Sequence, residues 1–142
     1  MLSQTSDYAL RAVLVLAREY EKRALRAEEI AGATGAPPNY MSKTLNALAK
    51  AGVLKSARGP LGGFSLAVDP QVLTIARVID CFETRKPQTR CILGTGPCDA
   101  LKPCAAHHRW SAINRARREP LDVSIASLLE GQTKAAGLTL IA

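Results

Sequence analysis

The chain has 142 residues, a formal charge of +7 and a composition that is 47% apolar but only 4% aromatic. That length fits one domain, or a small domain with an oligomerisation element, and a core of Ala, Leu, Ile and Val suits packed helices better than an aromatic-rich sandwich. The longest apolar run is too short to span a bilayer, and Met1 to Asp7 lack the charged-then-apolar layout of a signal peptide, so the expectation is a cytoplasmic protein with no membrane partner.

Residues 7–20 predict a helix, with Leu10, Val13, Leu14 and Ala17 at the spacing of one buried face. Ser3, Thr5 and Ser6 offer cap oxygens nearby. Residues 27–34 predict a short second helix with Glu28 and Glu29 at its positive end and Gly35 after it. Ala36-Pro37-Pro38 forces a turn and prepares a third helix over 39–51. Its inner face is Met41, Thr44, Leu45 and Leu48; its outer stripe is Asn39, Lys43, Asn46 and Lys50. Gly52 suits its C-terminal end. Two short strands, 53–56 and 64–68, flank the turn Arg58-Gly59-Pro60-Leu61-Gly62-Gly63, with Phe64, Leu66 and Val68 alternating inward. Short helices, a stripe-bearing third helix and a glycine-rich hairpin predict a winged helix-turn-helix, mainly α with a small β-hairpin wing.

Residues 74–83 predict a further helix through Ile75, Val78, Ile79 and Phe82. A cysteine loop follows over 84–103, then a long helix over 104–118 closed by Pro120, then a short amphipathic helix over 122–130 ended by Gly131. The expected division is a winged-helix DNA-binding domain at 1–70, a cluster-binding loop with dimerisation helices at 71–131, and a C-terminal tail at 132–142 without clear period. There are no internal repeats or low-complexity segments.

Charge is spread evenly, with 9 Lys or Arg against 6 Asp or Glu in residues 1–70 and 10 against 6 in residues 71–142. From Ile30 to Val68, however, Lys43, Lys50, Lys55 and Arg58 meet no acid, so a phosphate backbone would meet no repulsion there. The expected DNA contacts are Asn39, Tyr40, Ser42, Lys43 and Asn46 on the third helix, and Arg58, Gly59 and Gly62 at the wing. Lys43 and Arg58 suit phosphates, Arg58 also suits the minor groove, and Asn suits adenine. Tyr40 has packing under the wing as its other reading, and the glycines have turn formation.

Three of the four cysteines and a histidine fall within seventeen residues: Cys91, Cys98, Cys104 and His107. Soft thiolates and one imidazole, on a loop bent by Gly94, Gly96, Pro97 and Pro103, form a ligand set for a soft metal or an iron–sulfur cluster. Cys104 is expected to start a helix, where unpaired N–H groups favour the thiolate, and His107 falls one turn later on the same face. Zinc is the alternative metal, although the tight Cys-x2–4-Cys pair usual for zinc is missing. A cysteine nucleophile with His107 as base is the enzymatic reading; it lacks an orienting acid and a substrate loop, so neither catalysis nor a small-molecule substrate is expected. Cys81 reads as a small buried apolar residue, His108 as a surface residue directed away from His107, and Trp110 with Ile113 as a core or dimer contact on one face of the long helix.

The chain resembles the iron–sulfur winged-helix regulators of bacteria, the family of IscR, NsrR and RirA. The likeness rests on Ser6-Asp7-Tyr8-Ala9-Leu10-Arg11, on Leu45 to Gly52 running into Val53-Leu54, on the wing string from Arg58 to Gly63, and on Cys91, Cys98 and Cys104. It implies a homodimer paired through residues 104–118 and a 2Fe–2S or 4Fe–4S cluster held by the three cysteines. The fourth ligand it implies is either His107 or an acid early in the first helix of the partner subunit, the place held here by Asp7. The implied function is transcriptional regulation, expected to be repression, of a palindromic promoter site on double-stranded DNA in response to redox state, nitric oxide or iron. The sequence departs from the family at Arg26, where Ser or Thr usually caps the second helix, at Cys81, and in the six-residue gap between the first two cysteines.

Overall fold

The computed structural model describes residues 2–83, 93 and 100–134, leaving aside the side chains of 117 and 132–134. Helix α1, Gln4–Arg18, begins one turn earlier than the periodicity predicts, because Ser3 caps it: the Ser3 Oγ accepts the N–H of Ser6 at 3.2 Å. Its buried residues are Ser6, Ala9, Ala12, Val13, Leu16 and Ala17, while Leu10 and Leu14 are only half-buried. The expected face is thus rotated toward the alanines, whose small side chains let α1 be covered from several sides.

Helix α2, Ala27–Thr34, matches its predicted bounds. Helix α3, Pro38–Lys50, starts with Pro38 in the first turn, and its inner face Met41, Thr44, Leu45 and Leu48 is buried as predicted. The wing pairs β1, Leu54–Ala57, with β2, Gly63–Leu66, antiparallel, in the register Leu54 with Leu66 and Ala57 with Gly63. Leu66 is buried, whereas Phe64 and Val68 are half-buried. Leu25 adds a further rung: its N–H donates to the Phe64 carbonyl at 2.9 Å, and the Phe64 N–H donates back at 2.7 Å.

Helix α4 is shorter than predicted. It spans Ile75–Ile79, capped by the Thr74 Oγ1, which accepts the N–H of Arg77. Cys81 to Glu83 continue as turns. Helix α5 is His107–Arg118, followed by a 3-10 turn, Glu119–Leu121. Helix α6, Ile125–Lys134, runs through Gly131 rather than ending there; one helical glycine costs only about 1 kcal/mol relative to Ala. Leu73 and Ile125 hold α4 to α6 through the Ile125 N–H and Leu73 carbonyl, 2.8 Å, beside a bond of 3.1 Å from the Ile75 N–H to Val123.

One core unites Ala9, Val13 and Leu16 of α1, Ile30 of α2, Met41, Leu45 and Leu48 of α3, Leu54 and Leu66 of the wing, Val78 and Ile79 of α4, and Ile125 of α6. The mainly helical architecture with a two-stranded hairpin agrees with the predicted winged helix-turn-helix. Among the described residues, no helix is long and apolar enough to cross a membrane.

Candidate nucleic-acid interface and cysteine site

The outer face of α3 carries the predicted stripe in the open: Asn39, Lys43, Asn46 and Lys50 are exposed and Ser42 is half-exposed. Burial of Met41, Leu45 and Leu48 on the opposite face fixes this orientation. Tyr40 does not take the packing place under the wing. Its ring meets Tyr8 of α1 edge-on at 5.7 Å, and its hydroxyl hydrogen-bonds that of Thr5. It therefore packs on α1, not under the wing, and stays half-exposed beside the stripe.

At the wing, Arg58 and Gly59 are exposed, and Leu61 stands out at 95% exposure. Gly62 is different: it is buried, and its N–H donates to the Gly59 carbonyl at 2.9 Å. Its expected place in the DNA-facing set is corrected to a shaping role, because a Cβ there would lie 2.4 Å from the Ala57 carbonyl oxygen. The Arg26 guanidinium donates to the Pro60 carbonyl at 3.2 Å, tying the entry of α2 to the wing tip. The cap that Arg26 cannot supply is compensated from the other side, where the Glu29 carboxylate accepts the Arg26 backbone N–H at 2.8 Å. That bond, with the Arg23 guanidinium at 2.9 Å, holds the Glu29 carboxyl below the usual range. The contact of Arg26 with the wing had no sequence signal, since it joins residues 34 positions apart.

Cys91 and Cys98 lie outside the described residues. Cys104 is half-buried and precedes α5 instead of starting it. Its carbonyl accepts the His107 N–H at 2.9 Å, so the two residues share one turn at the helix entry. Cys104 is three positions ahead of the first helical residue, not at the helix start as expected. His107 is half-buried, and His108 is exposed with its ring edge-on to that of His107 at 5.6 Å, so the two rings do not diverge as expected. Asp7 lies inside the first turn of α1 and pairs with Arg11 at 3.0 Å. Among the described residues, no three His, Cys, Asp or Glu side chains converge as a metal site.

Cys81 packs against the core half-buried, as its small apolar reading implies; its Sγ donates to the Arg77 carbonyl at 3.3 Å. Burial pushes its thiol up, despite the opposing effect of Arg77. On α5, Trp110 is half-buried and Ile113 is 46% exposed. The Trp110 Nε1 is buried and has no hydrogen-bond partner among the described residues.

The family model Rrf2, described as an iron-dependent transcriptional regulator, matches residues 2–131. The chain belongs to the Rrf2 family. A protein of Aquifex aeolicus whose name places it among HTH-type transcriptional regulators is 36% identical over 115 residues, covering 80% of this chain and 79% of its own. IscR of Vibrio vulnificus is 30% identical over 113 residues, covering 80% of this chain and 67% of its own. Among solved structures, IscR of T. potens superposes with a TM-score of 0.75 at 23% identity over 95% of this chain and 90% of that one. CymR of B. subtilis, titled the global cysteine regulator, gives 0.73 at 24% identity over 90% and 95%. Those two likenesses speak for the fold.

This Rrf2 protein is therefore a transcriptional regulator with a DNA-binding winged helix. The enzymatic reading of its cysteines is set aside, since the family and the relatives are transcriptional regulators.

Proposed function

We propose that the protein is a cytoplasmic, homodimeric repressor that responds to redox state, nitric oxide or iron through an iron–sulfur cluster. The observation that carries this reading is the set of Cys91, Cys98 and Cys104 with His107, placed beyond the winged helix in an Rrf2 chain. The described part of the set fits such a group: Cys104 and His107 are both half-buried and share one hydrogen-bonded turn, so a sulfur and an imidazole donor lie within one turn of each other. The three cysteines would hold the cluster and His107 would complete it, with Asp7 of the partner subunit as the alternative. The cluster, when bound, supplies chemistry that oxidants and nitric oxide can attack.

In this reading residues 1–70 read DNA and residues 71–131 sense and dimerise. Asn39, Ser42, Lys43 and Asn46 face the major groove, Arg58 and Gly59 face the adjoining phosphates or minor groove, and Tyr40 supports them from below. Dimerisation through α5 is supported by its surface. None of its described side chains is buried within the chain, Ile113 is exposed, and a 12-residue helix is marginal alone in water. A two-fold dimer would place two α3 helices in successive major grooves of a palindromic site.

The test is purification without oxygen. Brown protein with visible absorption, iron and labile sulfide is the expected result; colourless protein with stoichiometric zinc overturns the reading. Under the same conditions His107→Ala should lose the cluster faster than the parent. An unchanged spectrum in His107→Ala, with loss in Asp7→Ala, would transfer the fourth position to Asp7.

A further inference from the structure

The first turn of α1 is held from two sides by residues remote in sequence. On one side, a single Glu83 carboxylate oxygen accepts both the Ser3 N–H and the Ser6 hydroxyl, each at 2.8 Å. Ser6 is fully buried, and Ser3 and Ser6 are themselves joined, Oγ to Oγ at 3.0 Å and from the Ser6 N–H to the Ser3 Oγ at 3.2 Å. On the other side, the Thr5 hydroxyl bonds that of Tyr40, and Tyr8 packs edge-on against the same ring. Tyr40 sits in the first turn of α3 next to Asn39, Ser42 and Lys43, and its carbonyl accepts the Thr44 hydroxyl at 3.0 Å. Glu83 therefore holds Ser3 and Ser6, the backbone of the same turn carries Thr5, and Thr5 bonds Tyr40 at the start of α3.

We propose that Glu83 is a positioning residue for DNA recognition, acting through the first turn of α1 on Tyr40 and the start of α3. The physical reason is that a charged acceptor makes strong hydrogen bonds. Without that carboxylate the Ser3 N–H loses its acceptor and the fully buried Ser6 hydroxyl is left with the neutral Ser3 Oγ at 3.0 Å, a weaker partner, so the turn is held less firmly. Ser3, Thr5 and Ser6 lie in that one turn, so displacement at Glu83 appears at Tyr40. Glu83 is also the residue from which the chain passes toward Cys91. This deepens the function proposed above and rests on its assignment of α3 to DNA.

The test is a double-mutant cycle on DNA affinity, using a duplex selected by the parent protein from a random-sequence pool and a non-selected duplex as control. Glu83→Ala and Tyr40→Phe should each weaken binding to the selected duplex about fivefold, and the double variant should lose no more than about twofold beyond the weaker single one, as linked residues do. Affinity for the control duplex should not change, a pattern that general destabilisation would not produce. Glu83→Gln, whose neutral amide oxygen still accepts both bonds but more weakly, should fall between the parent and Glu83→Ala. If Glu83→Ala does not fold, Glu83→Asp replaces it in the cycle with the same expected non-additivity. Parental affinity in the Glu83 variant, or a double loss equal to the product of the single losses, overturns the proposal. Parental affinity in Lys43→Ala together with Asn46→Ala would overturn the α3 assignment and this inference with it; loss in those two with no effect at Glu83 overturns this inference alone.

Discussion

Glu29 shows how one carboxylate replaces a missing cap. The backbone N–H of Arg26 and then the guanidinium of Arg23 favour its charged form and hold its carboxyl below the usual range. A lowered folded-state value means that this stabilisation is full above the unfolded value, about pH 4.3, and is lost as pH falls through the folded one. Glu29→Gln should therefore have a lower urea midpoint than the parent at neutral pH, with the two midpoints converging in acid. Parallel midpoints across that range would show that the carboxylate charge is not involved. In the proposed reading, Lys43 and Arg58 act at the same scale toward DNA. Replacing either by Ala should weaken binding on all sequences and reduce the slope of log affinity against log salt by about one where the lost contact is to phosphate.

Among the described elements, the wing contains backbone that favours glycine strongly. Gly63 has φ 143°, and a Cβ there would stand 2.4 Å from the Leu25 carbonyl oxygen. The close approach is the bridge between Leu25 and Phe64, which joins the hairpin to the start of α2. Gly63→Ala should destabilise the protein by about 1–3 kcal/mol and weaken DNA binding further, because the loosened wing carries Arg58. Thermal melting and a DNA titration of the same variant check the two parts separately. The periodicity of α3 was legible residue by residue: Met41, Thr44, Leu45 and Leu48 are buried as spaced. The wing bridge was not legible, since a single paired residue such as Leu25 leaves no alternating pattern to read.

At the scale of the whole molecule, one core runs from α1 to α6, while α5 has no described side chain buried within the chain. If α5 forms the proposed dimer seam, Ile113→Asp should leave the fold intact and convert the protein to a monomer, read by light scattering on a sizing column; a parental mass would overturn that role for α5. Leu45→Ala tests the core itself and should cost about 2–5 kcal/mol, measured by denaturant unfolding, because Leu45 is fully buried between helices.

By itself the sequence determined the winged helix, the exposed basic stripe and the cysteine set, because local spacing, proline and glycine punctuation and ligand chemistry are all written in neighbouring residues. It did not determine which face of α1 is innermost; Ala9, Ala12 and Leu16 are buried because several elements close over them at once. The tertiary structure also decided that Cys104 stands ahead of α5 and that Tyr40 of α3 packs on Thr5 and Tyr8 of α1. Above all it brought Glu83 onto Ser3 and Ser6, contacts that span 80 and 77 positions. Hydrogen bonds of that separation follow from how packed helices end in space, and no periodicity along the chain encodes them.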